Sequence, residues 1–137
     1  MILVDIGPLG ALFYPADEWH GRCVDRLKRV NEPLCTTTPV LAEAFHLLAP
    51  GSNGAQRLMD FIAGGGLRVW FLDEPALGCA FELMIRYRDV PMDLADASLV
   101  VAAEQLRLQR IFTIDREDFG VYRVRRGHRH VAFEMLA

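Results

Sequence analysis

Short apolar segments alternate with helix-forming segments along almost the whole chain. The apolar runs have the length of buried strands and lie at residues 2–4, 34–36, 67–72 and 111–114. Segments with helical periodicity and helix-start signals separate them. Strands that alternate with helices predict a mostly parallel sheet covered by helices on both faces, which is an α/β fold with three layers. The length of 137 residues fits a single domain spanning residues 1–137.

Prolines and capping residues predict where the helices begin. Pro8 suits the first turn of a short helix through residue 14, and Asp17 is a candidate cap for a helix that runs to about residue 31. Thr38 followed by Pro39 predicts a helix start with threonine as the cap. The other predicted helices are residues 55–63, 74–87 and 94–106, and residues 121–137 predict a hairpin with Arg126-Gly127 at its bend.

Composition excludes several classes of protein. Hydrophobic residues make up 52% of the chain and charged residues 24%, so a folded core is expected. The net charge of −3 argues against a general basic nucleic-acid binder, although a carboxylate site is itself acidic until a metal ion fills it. Three widely spaced cysteines do not predict a disulfide framework, and they favour the reducing cytoplasm. No segment predicts a signal peptide or a membrane span.

Acidic residues follow the predicted strands. Asp5 comes directly after the first strand, and Asp115 directly after the fourth. Asp93 and Asp96 lie in the first turn of the helix that leads into that fourth strand, and Glu43 lies one turn into the helix that begins at Thr38. In parallel sheets the functional cleft lies beyond the carboxyl ends of the strands, where the strand order reverses. We therefore expect these carboxylates to converge at that edge.

A cluster of carboxylates is suited to a hard divalent cation. Mg²⁺ and Mn²⁺ prefer oxygen ligands, and Mg²⁺ is commonly shared between protein carboxylates and a phosphate of the substrate. Such an ion promotes attack by water on a phosphodiester and stabilises the charge that develops. Without metal the carboxylates repel one another, so at least one of them should have a raised pKa.

Each acid taken alone also has a structural explanation. Asp5 could be a turn residue, Asp93 a helix cap and Asp96 a first-turn acid that interacts with the helix dipole. Asp115 could cap the turn that follows it, and Glu43 could lie on the solvated edge of its helix. The occurrence of acids in four separate segments at the predicted strand ends is what favours a metal site.

Four segments resemble the acidic motifs of the PIN-domain nucleases, and especially of the VapC-like toxins. The similarity extends from residue 2 to about residue 122. The four segments are residues 4–9 (VDIGPL), 38–43 (TPVLAE), 92–99 (MDLADASL) and 113–119 (TIDREDF).

This resemblance implies a role for each acid. Asp5, Glu43, Asp96 and Asp115 match the metal-binding acids of the family and are the predicted catalytic residues. Asp93 matches an additional acid, so the predicted metal ligands are Asp5, Asp93, Asp96 and Asp115, and Asp118 matches a secondary acid near the site. Many family members have Thr or Ser directly after the first Asp, whereas this chain has Ile6, which could weaken metal binding or lower the rate.

The resemblance also implies an activity and partners. The family fold is a three-layer α/β/α sandwich, and its activity is Mg²⁺- or Mn²⁺-dependent cleavage of RNA. A VapC-like toxin is expected to bind a cognate antitoxin, which could insert a cationic side chain among the carboxylates, and to form a homodimer.

The arginine-rich C-terminal segment is a candidate RNA contact. Arg125 and Arg126 could bind phosphates of the substrate and offset the acidic site, although a solvated hairpin is an alternative explanation. His128 and His130 form a candidate metal pair, but no third nitrogen or sulfur ligand lies nearby in the sequence, which disfavours zinc.

Two other classes of function are alternatives to a nuclease. A haloacid-dehalogenase-like phosphatase would need an acid at the position of Gly7, and a receiver domain would need a late lysine, whereas Lys28 is the only lysine. The second class is a catalytically weak or inactive PIN-like module that acts through protein contacts. Ile6 favours that alternative, and the presence of all four main acids argues against it.

Overall fold

The computed structural model describes residues 1–136, and a five-stranded sheet lies at its centre. Its strands have the order β3-β2-β1-β4-β7, and all four neighbouring pairs are parallel. Two further strands, β5 and β6, form a separate antiparallel hairpin. The strands are β1 (Ile2–Val4), β2 (Leu34–Thr37), β3 (Arg68–Trp70), β4 (Arg110–Phe112), β5 (Arg123–Arg126), β6 (Arg129–Ala132) and β7 (Glu134–Leu136).

Seven helices connect the strands within the described residues. They are α1 (Ile6–Leu12), α2 (His20–Lys28), α3 (Thr38–Leu48), α4 (Asn53–Ala63), α5 (Glu74–Arg86), α6 (Leu94–Leu106) and α7 (Arg116–Val121). No helix in residues 1–136 is both long and apolar enough to cross a membrane.

The order of the strands explains the three layers. From β1 the chain passes to β2 and β3 on one side, and it then returns to β4 and β7 on the other side. Since parallel crossovers are right-handed, the connections that lead outward to β3 and the connection that returns to β4 place helices on opposite faces of the sheet. The α/β fold with a mostly parallel sheet is therefore confirmed. The strand order reverses between β1 and β4, so the functional cleft is expected at the carboxyl ends of these two strands.

Helix α6 is buried on nearly every side. Every residue from Ala97 to Ala103 is buried, and Ala95 is buried as well, whereas Asp96 keeps partial exposure. The alanines on this helix let it pack closely against α5 and the sheet. A carboxylate on such a helix is unusual, because an unpaired charge is costly in apolar surroundings.

Several predicted helix starts were displaced by a few residues. Helix α1 begins at Ile6, earlier than predicted, because the Asp5 side chain caps it by accepting a hydrogen bond from the Ile6 N–H at 2.8 Å. The cap of α3 is Thr37, which accepts from the Val40 N–H. The Thr38 hydroxyl instead accepts a hydrogen bond from the Leu72 N–H at 3.2 Å and so links α3 to the end of β3.

The C-terminal segment contains a strand that the sequence did not predict. The hairpin of β5 and β6 is confirmed, and Gly127 lies at its turn with a positive φ of 64°. The chain then continues as β7, which pairs in parallel with β4 and places Leu136 beside Phe112. Glu134–Leu136 begins with a charged residue and lacks an apolar run of strand length, so β7 depends on its pairing with β4.

Candidate active site

Asp5 lies at the carboxyl end of β1 and is the most deeply buried acid of the site. Its side chain is 3% exposed, and its backbone N–H donates to the Phe112 carbonyl at 3.0 Å. Oδ1 accepts a hydrogen bond from the Ile6 N–H at 2.8 Å, and Oδ2 accepts one from the Thr113 hydroxyl at 2.9 Å. Burial raises the pKa of Asp5 to about 6, and the charges of Asp115 and Asp93 add to this rise.

Thr113 connects two of the acids. Its hydroxyl donates to Asp5 and accepts a hydrogen bond from the Asp115 N–H at 3.0 Å. Asp115 in turn caps α7, because its Oδ1 accepts from the Asp118 N–H at 3.0 Å. Burial and the nearby Asp115 raise the pKa of Asp118. The segment after β4 is therefore held against Asp5 by a buried hydroxyl.

Ile6, which follows Asp5, has no side-chain hydroxyl. The hydroxyl that contacts Asp5 comes instead from a residue at the end of a neighbouring strand. Ile6 contributes only its backbone N–H to Asp5, and the hydroxyl that bonds Asp5 belongs to Thr113 at the end of β4. The side chain of Ile6 instead lines an apolar surface depression of about 470 Å³, together with Ala42, Glu43 and Leu47.

Asp96 is held by a tyrosine. Its Oδ2 accepts a hydrogen bond from the Tyr122 hydroxyl at 2.8 Å, and its backbone N–H donates to Oδ1 of Asp93 at 2.8 Å. Burial raises the pKa of Asp96 to about 7 despite the tyrosine hydrogen bond, and the charges of Asp93, Asp5 and Asp115 act in the same direction. Asp93 is the N-cap of α6, as its structural explanation predicted, and it also lies close enough to influence the other acids.

Glu43 lies on the exposed rim of this cluster. Partial burial and the charge of Asp93 raise its pKa. Helix α3 is anchored nearby, because the Thr37 and Ser98 hydroxyls lie 2.6 Å apart and Ser98 donates to the Ala95 carbonyl at 2.6 Å. Since Ser98 has a single hydroxyl hydrogen, Thr37 is the donor of the pair. This contact joins the end of β2 to α6 and fixes Glu43 relative to Asp96.

The structure thus brings together acids from four separate segments. The charges of Asp93 and Asp115 raise the pKa of Asp5 and that of Asp96, and the charge of Asp93 also raises the pKa of Glu43. None of these five carboxylates forms an ion pair with a basic side chain of residues 1–136. The cluster therefore carries uncompensated negative charge, which is the electrostatic environment that a divalent cation requires.

The chemistry of the donor groups fits Mg²⁺ or Mn²⁺. Every candidate ligand is a carboxylate oxygen, which hard cations prefer, and Asp5 is buried with no ion pair to a basic side chain of residues 1–136. Within the described part of the chain, no three His, Cys, Asp or Glu side chains are close enough together to hold an ion as they stand. The carboxylates would therefore have to rearrange to complete a coordination sphere.

The two predicted RNA-contacting arginines lie toward the other end of α6. Arg126 donates to the carbonyls of Ala103 and Leu108 at 3.4 Å and 2.8 Å, and the Arg125 N–H donates to Glu104 at 2.7 Å. Glu104 follows Asp96 by eight residues, which corresponds to about 12 Å along a helix. Arg126 thus satisfies carbonyls at the C-terminal end of α6, while the role of both residues in RNA binding stays a prediction.

Two side chains that hydrogen-bond the acids, Thr113 and Tyr122, are not among the predicted site residues. Thr113 belongs to a segment that resembles an acidic motif, and its place two residues before Asp115 at a strand end is a signal that could have indicated it. Tyr122 lies beyond the four motifs, and its contact with Asp96 spans 26 residues, so no local pattern identifies it.

Known proteins resemble this chain in sequence and in fold. The chain is 26% identical over 124 residues to Ribonuclease VapC26 of Mycobacterium tuberculosis (strain ATCC 25618 / H37Rv), and the match covers 89% of this chain and 92% of that protein. None of the protein-family models that were compared with the chain matches it.

Three solved structures share the fold. VapC20 of Mycobacterium tuberculosis, described as a sarcin–ricin loop cleaving toxin, has a TM-score of 0.79 at 21% identity, with 86% of this chain and 92% of that chain covered. A toxin–antitoxin complex from Klebsiella pneumoniae has a TM-score of 0.64 at 17% identity, with 88% and 92% covered. FitAcB from Neisseria gonorrhoeae has a TM-score of 0.60 at 22% identity, with 88% and 91% covered. Together, the sequence match and the shared fold confirm that this chain has the fold of the VapC-like PIN-domain toxins, which its four acidic motifs resemble.

Proposed function

We propose that this chain is a metal-dependent endoribonuclease and the toxin of a VapBC-type toxin–antitoxin pair. The observation that carries the proposal is the group of acids at the carboxyl ends of β1 and β4, where the pKa of Asp5 is raised to about 6 and that of Asp96 to about 7. Perturbed acids that converge in a cleft are typical of catalytic sites. Asp5, Glu43, Asp96 and Asp115 are the proposed catalytic residues.

Asp5, Asp93, Asp96 and Asp115 would hold Mg²⁺ or Mn²⁺. When bound, such an ion supplies charge stabilisation for a phosphodiester and for the water that attacks it. The hydrogen bonds from Thr113 and Tyr122 restrain Asp5 and Asp96, so these carboxylates need little reorganisation. Glu43 is exposed at the rim, where it can contact substrate or water without displacing the buried acids.

The known relatives support RNA as the substrate and an antitoxin as the partner. The curated relative is a ribonuclease, and one solved structure of the same fold is a toxin–antitoxin complex. The apolar depression formed by Ile6, Ala42 and Leu47 adjoins Glu43, and Leu47 is 61% exposed. An antitoxin segment with an apolar side chain for this depression and a cationic side chain for the acids would block the site.

We also propose that the protein is a homodimer in the cytoplasm. Phe81 and Ile85 lie one turn apart on α5 and are 50% and 63% exposed, so they form an apolar surface suited to a second copy of the chain. Sedimentation of the purified protein tests this: a monomer at micromolar concentration would contradict the dimer and leave the nuclease proposal standing.

Cleavage of a mixed RNA pool tests the nuclease. Purified protein without antitoxin is incubated with Mg²⁺, Mn²⁺ or EDTA, beside an Asp5→Asn/Asp96→Asn variant. The matched control is Asp25→Asn/Asp89→Asn, which changes the net charge equally at two exposed positions outside the site. We expect metal-dependent cleavage by the wild type and the control, and none by the site variant.

The alternative is a catalytically weak or inactive PIN-like binding module. Absence of cleavage from a folded wild-type protein, together with no Mn²⁺ binding at millimolar concentration, would favour this alternative. The toxin assignment has a separate test in expression of the chain without an antitoxin. Unaffected growth would reject the toxin assignment even where RNA cleavage is observed.

A further inference from the structure

Tyr122 is a completely buried residue whose only polar side-chain atom touches the acidic site. Its exposure is 0%, and its hydroxyl donates to Oδ2 of Asp96 at 2.8 Å. The residue belongs to the segment between α7 and β5, which lies beyond the four acidic motifs. No hydrogen bond within residues 1–136 engages the other oxygen of Asp96, Oδ1.

The tyrosine is fixed on several sides. Its ring packs edge-on against Phe119 at 5.1 Å and against Tyr87 at 5.2 Å between ring centroids. Its backbone N–H donates to the Asp118 carbonyl at 3.1 Å, which holds the main chain at this position. The ring therefore has little freedom to rotate, and its hydroxyl stays at one position beside Asp96.

We propose that Tyr122 is a positioning residue that orients the Asp96 carboxylate for a divalent cation. This inference rests on the proposed metal-dependent function and extends it beyond the acids. A carboxylate on a buried helix without a partner could rotate about its last torsion, whereas the hydroxyl holds Oδ2 and leaves Oδ1 available to the ion. Groups that hydrogen-bond a metal ligand in this way typically change metal affinity by about 10- to 100-fold.

A neutral donor is suited to this role. An arginine or lysine at the same place would form an ion pair with Asp96 and cancel the charge that attracts the cation. The tyrosine hydroxyl restrains the carboxylate without neutralising it. Burial and the contact with Asp96 raise the pKa of Tyr122 well above its usual value, so the hydroxyl keeps its proton and remains a donor at physiological pH.

Tyr122→Phe tests the inference because it removes only the hydroxyl. Tyr87→Phe is the matched control, because it removes another hydroxyl from the same aromatic cluster. That hydroxyl accepts a hydrogen bond from the Arg123 N–H and contacts no acid. Calorimetric titration with Mn²⁺ measures affinity, and thermal unfolding of the metal-free protein measures stability. We expect Tyr122→Phe to weaken Mn²⁺ binding by about 10- to 100-fold and to keep the fold. Tyr87→Phe should lower the unfolding temperature and leave the Mn²⁺ affinity unchanged.

RNA cleavage separates positioning from catalysis. At saturating Mn²⁺, activity of Tyr122→Phe should recover most of the wild-type rate, because the acids remain in place. Mn²⁺ affinity within about two-fold of wild type in a folded Tyr122→Phe protein would overturn the inference.

If the Tyr122→Phe protein does not fold, NMR of tyrosine-labelled wild-type protein is used in its place. Mg²⁺ should shift the Tyr122 signals and not those of Tyr87, and unshifted Tyr122 signals at saturation would overturn it.

The nuclease proposal and the positioning role of Tyr122 are contradicted by different results. Wild-type protein that binds Mn²⁺ but cleaves no RNA would reject the nuclease, while the affinity of Tyr122→Phe would still decide the positioning role. Wild-type protein that binds no Mn²⁺ at millimolar concentration would overturn both.

Discussion

The Thr113 hydroxyl donates a hydrogen bond of 2.9 Å to Oδ2 of Asp5 and so joins the ends of two adjacent parallel strands. Both residues are buried, and they are 108 positions apart in the chain. Because the same hydroxyl accepts from the Asp115 N–H, this single group sets the distance between the acids that follow β1 and β4.

Thr113→Val should reduce metal binding and RNA cleavage. Valine keeps the shape of threonine but leaves Asp5 with one fewer donor, so we expect a loss of about 10- to 100-fold in Mn²⁺ affinity. Thr36→Val is the control, since Thr36 is also buried in a strand and its hydroxyl donates to the Val4 carbonyl at 2.8 Å and to no acid. Equal losses in the two variants would indicate general damage to the sheet.

The metal-free protein should lose stability as the pH rises from about 4 to about 7. The folded pKa values of Asp5 and Asp96, about 6 and about 7, lie above the ordinary value of 3.8. The folded state therefore binds more protons than the unfolded state in this window, and the free energy of unfolding falls as these acids ionise. Denaturant unfolding with EDTA at pH 4 to 8 measures the effect.

The Asp5→Asn/Asp96→Asn variant isolates the contribution of these two acids. It should be more stable than wild type at pH 8, by up to about 7 kcal/mol, and should show a flatter pH dependence. Mn²⁺ should stabilise wild type at pH 8 and not the variant. Identical pH profiles of the two proteins would contradict the raised pKa values.

Arg125 and Arg126 should differ in effect despite being neighbours. Arg126→Ala removes charged hydrogen bonds to the Ala103 and Leu108 carbonyls, so we expect a loss of about 1 to 2 kcal/mol in stability. Arg125→Ala, at an exposed position, should change stability by less than about 0.5 kcal/mol.

If Arg125 contacts RNA phosphate, its removal should lower the salt dependence of RNA binding by about one unit of slope. An unchanged slope would exclude that contact.

Gly7→Ala should destabilise the protein because α1 passes very close to Ile114. A Cβ atom at Gly7 would lie 2.6 Å from Cγ1 of Ile114, near the branch point of a stiff side chain. We expect a loss of about 1 to 3 kcal/mol and weaker activity, since Ile114 precedes Asp115. Gly78→Ala in α5 meets open space and should instead gain about 0.5 to 1 kcal/mol. Unfolding curves of both variants compare the two effects.

The sequence determined the class of fold because each strand and helix carries local signals. Apolar runs mark four of the five strands in the central sheet, and Asp93 caps α6 at the position that the sequence predicts. The acids that meet at the site were also predicted, because parallel strands deliver their carboxyl ends to the same edge.

Only the tertiary structure decided what holds those acids. Thr113 reaches Asp5 across 108 residues and Tyr122 reaches Asp96 across 26, and no local pattern encodes such contacts. The parallel pairing of β7 with β4 and the use of Arg126 at the end of α6 likewise depend on neighbours distant in the chain. Local propensities set the elements and the order of the acids, whereas hydrogen-bond partners and burial, and with them the raised pKa values, arise when the sheet and α6 pack together.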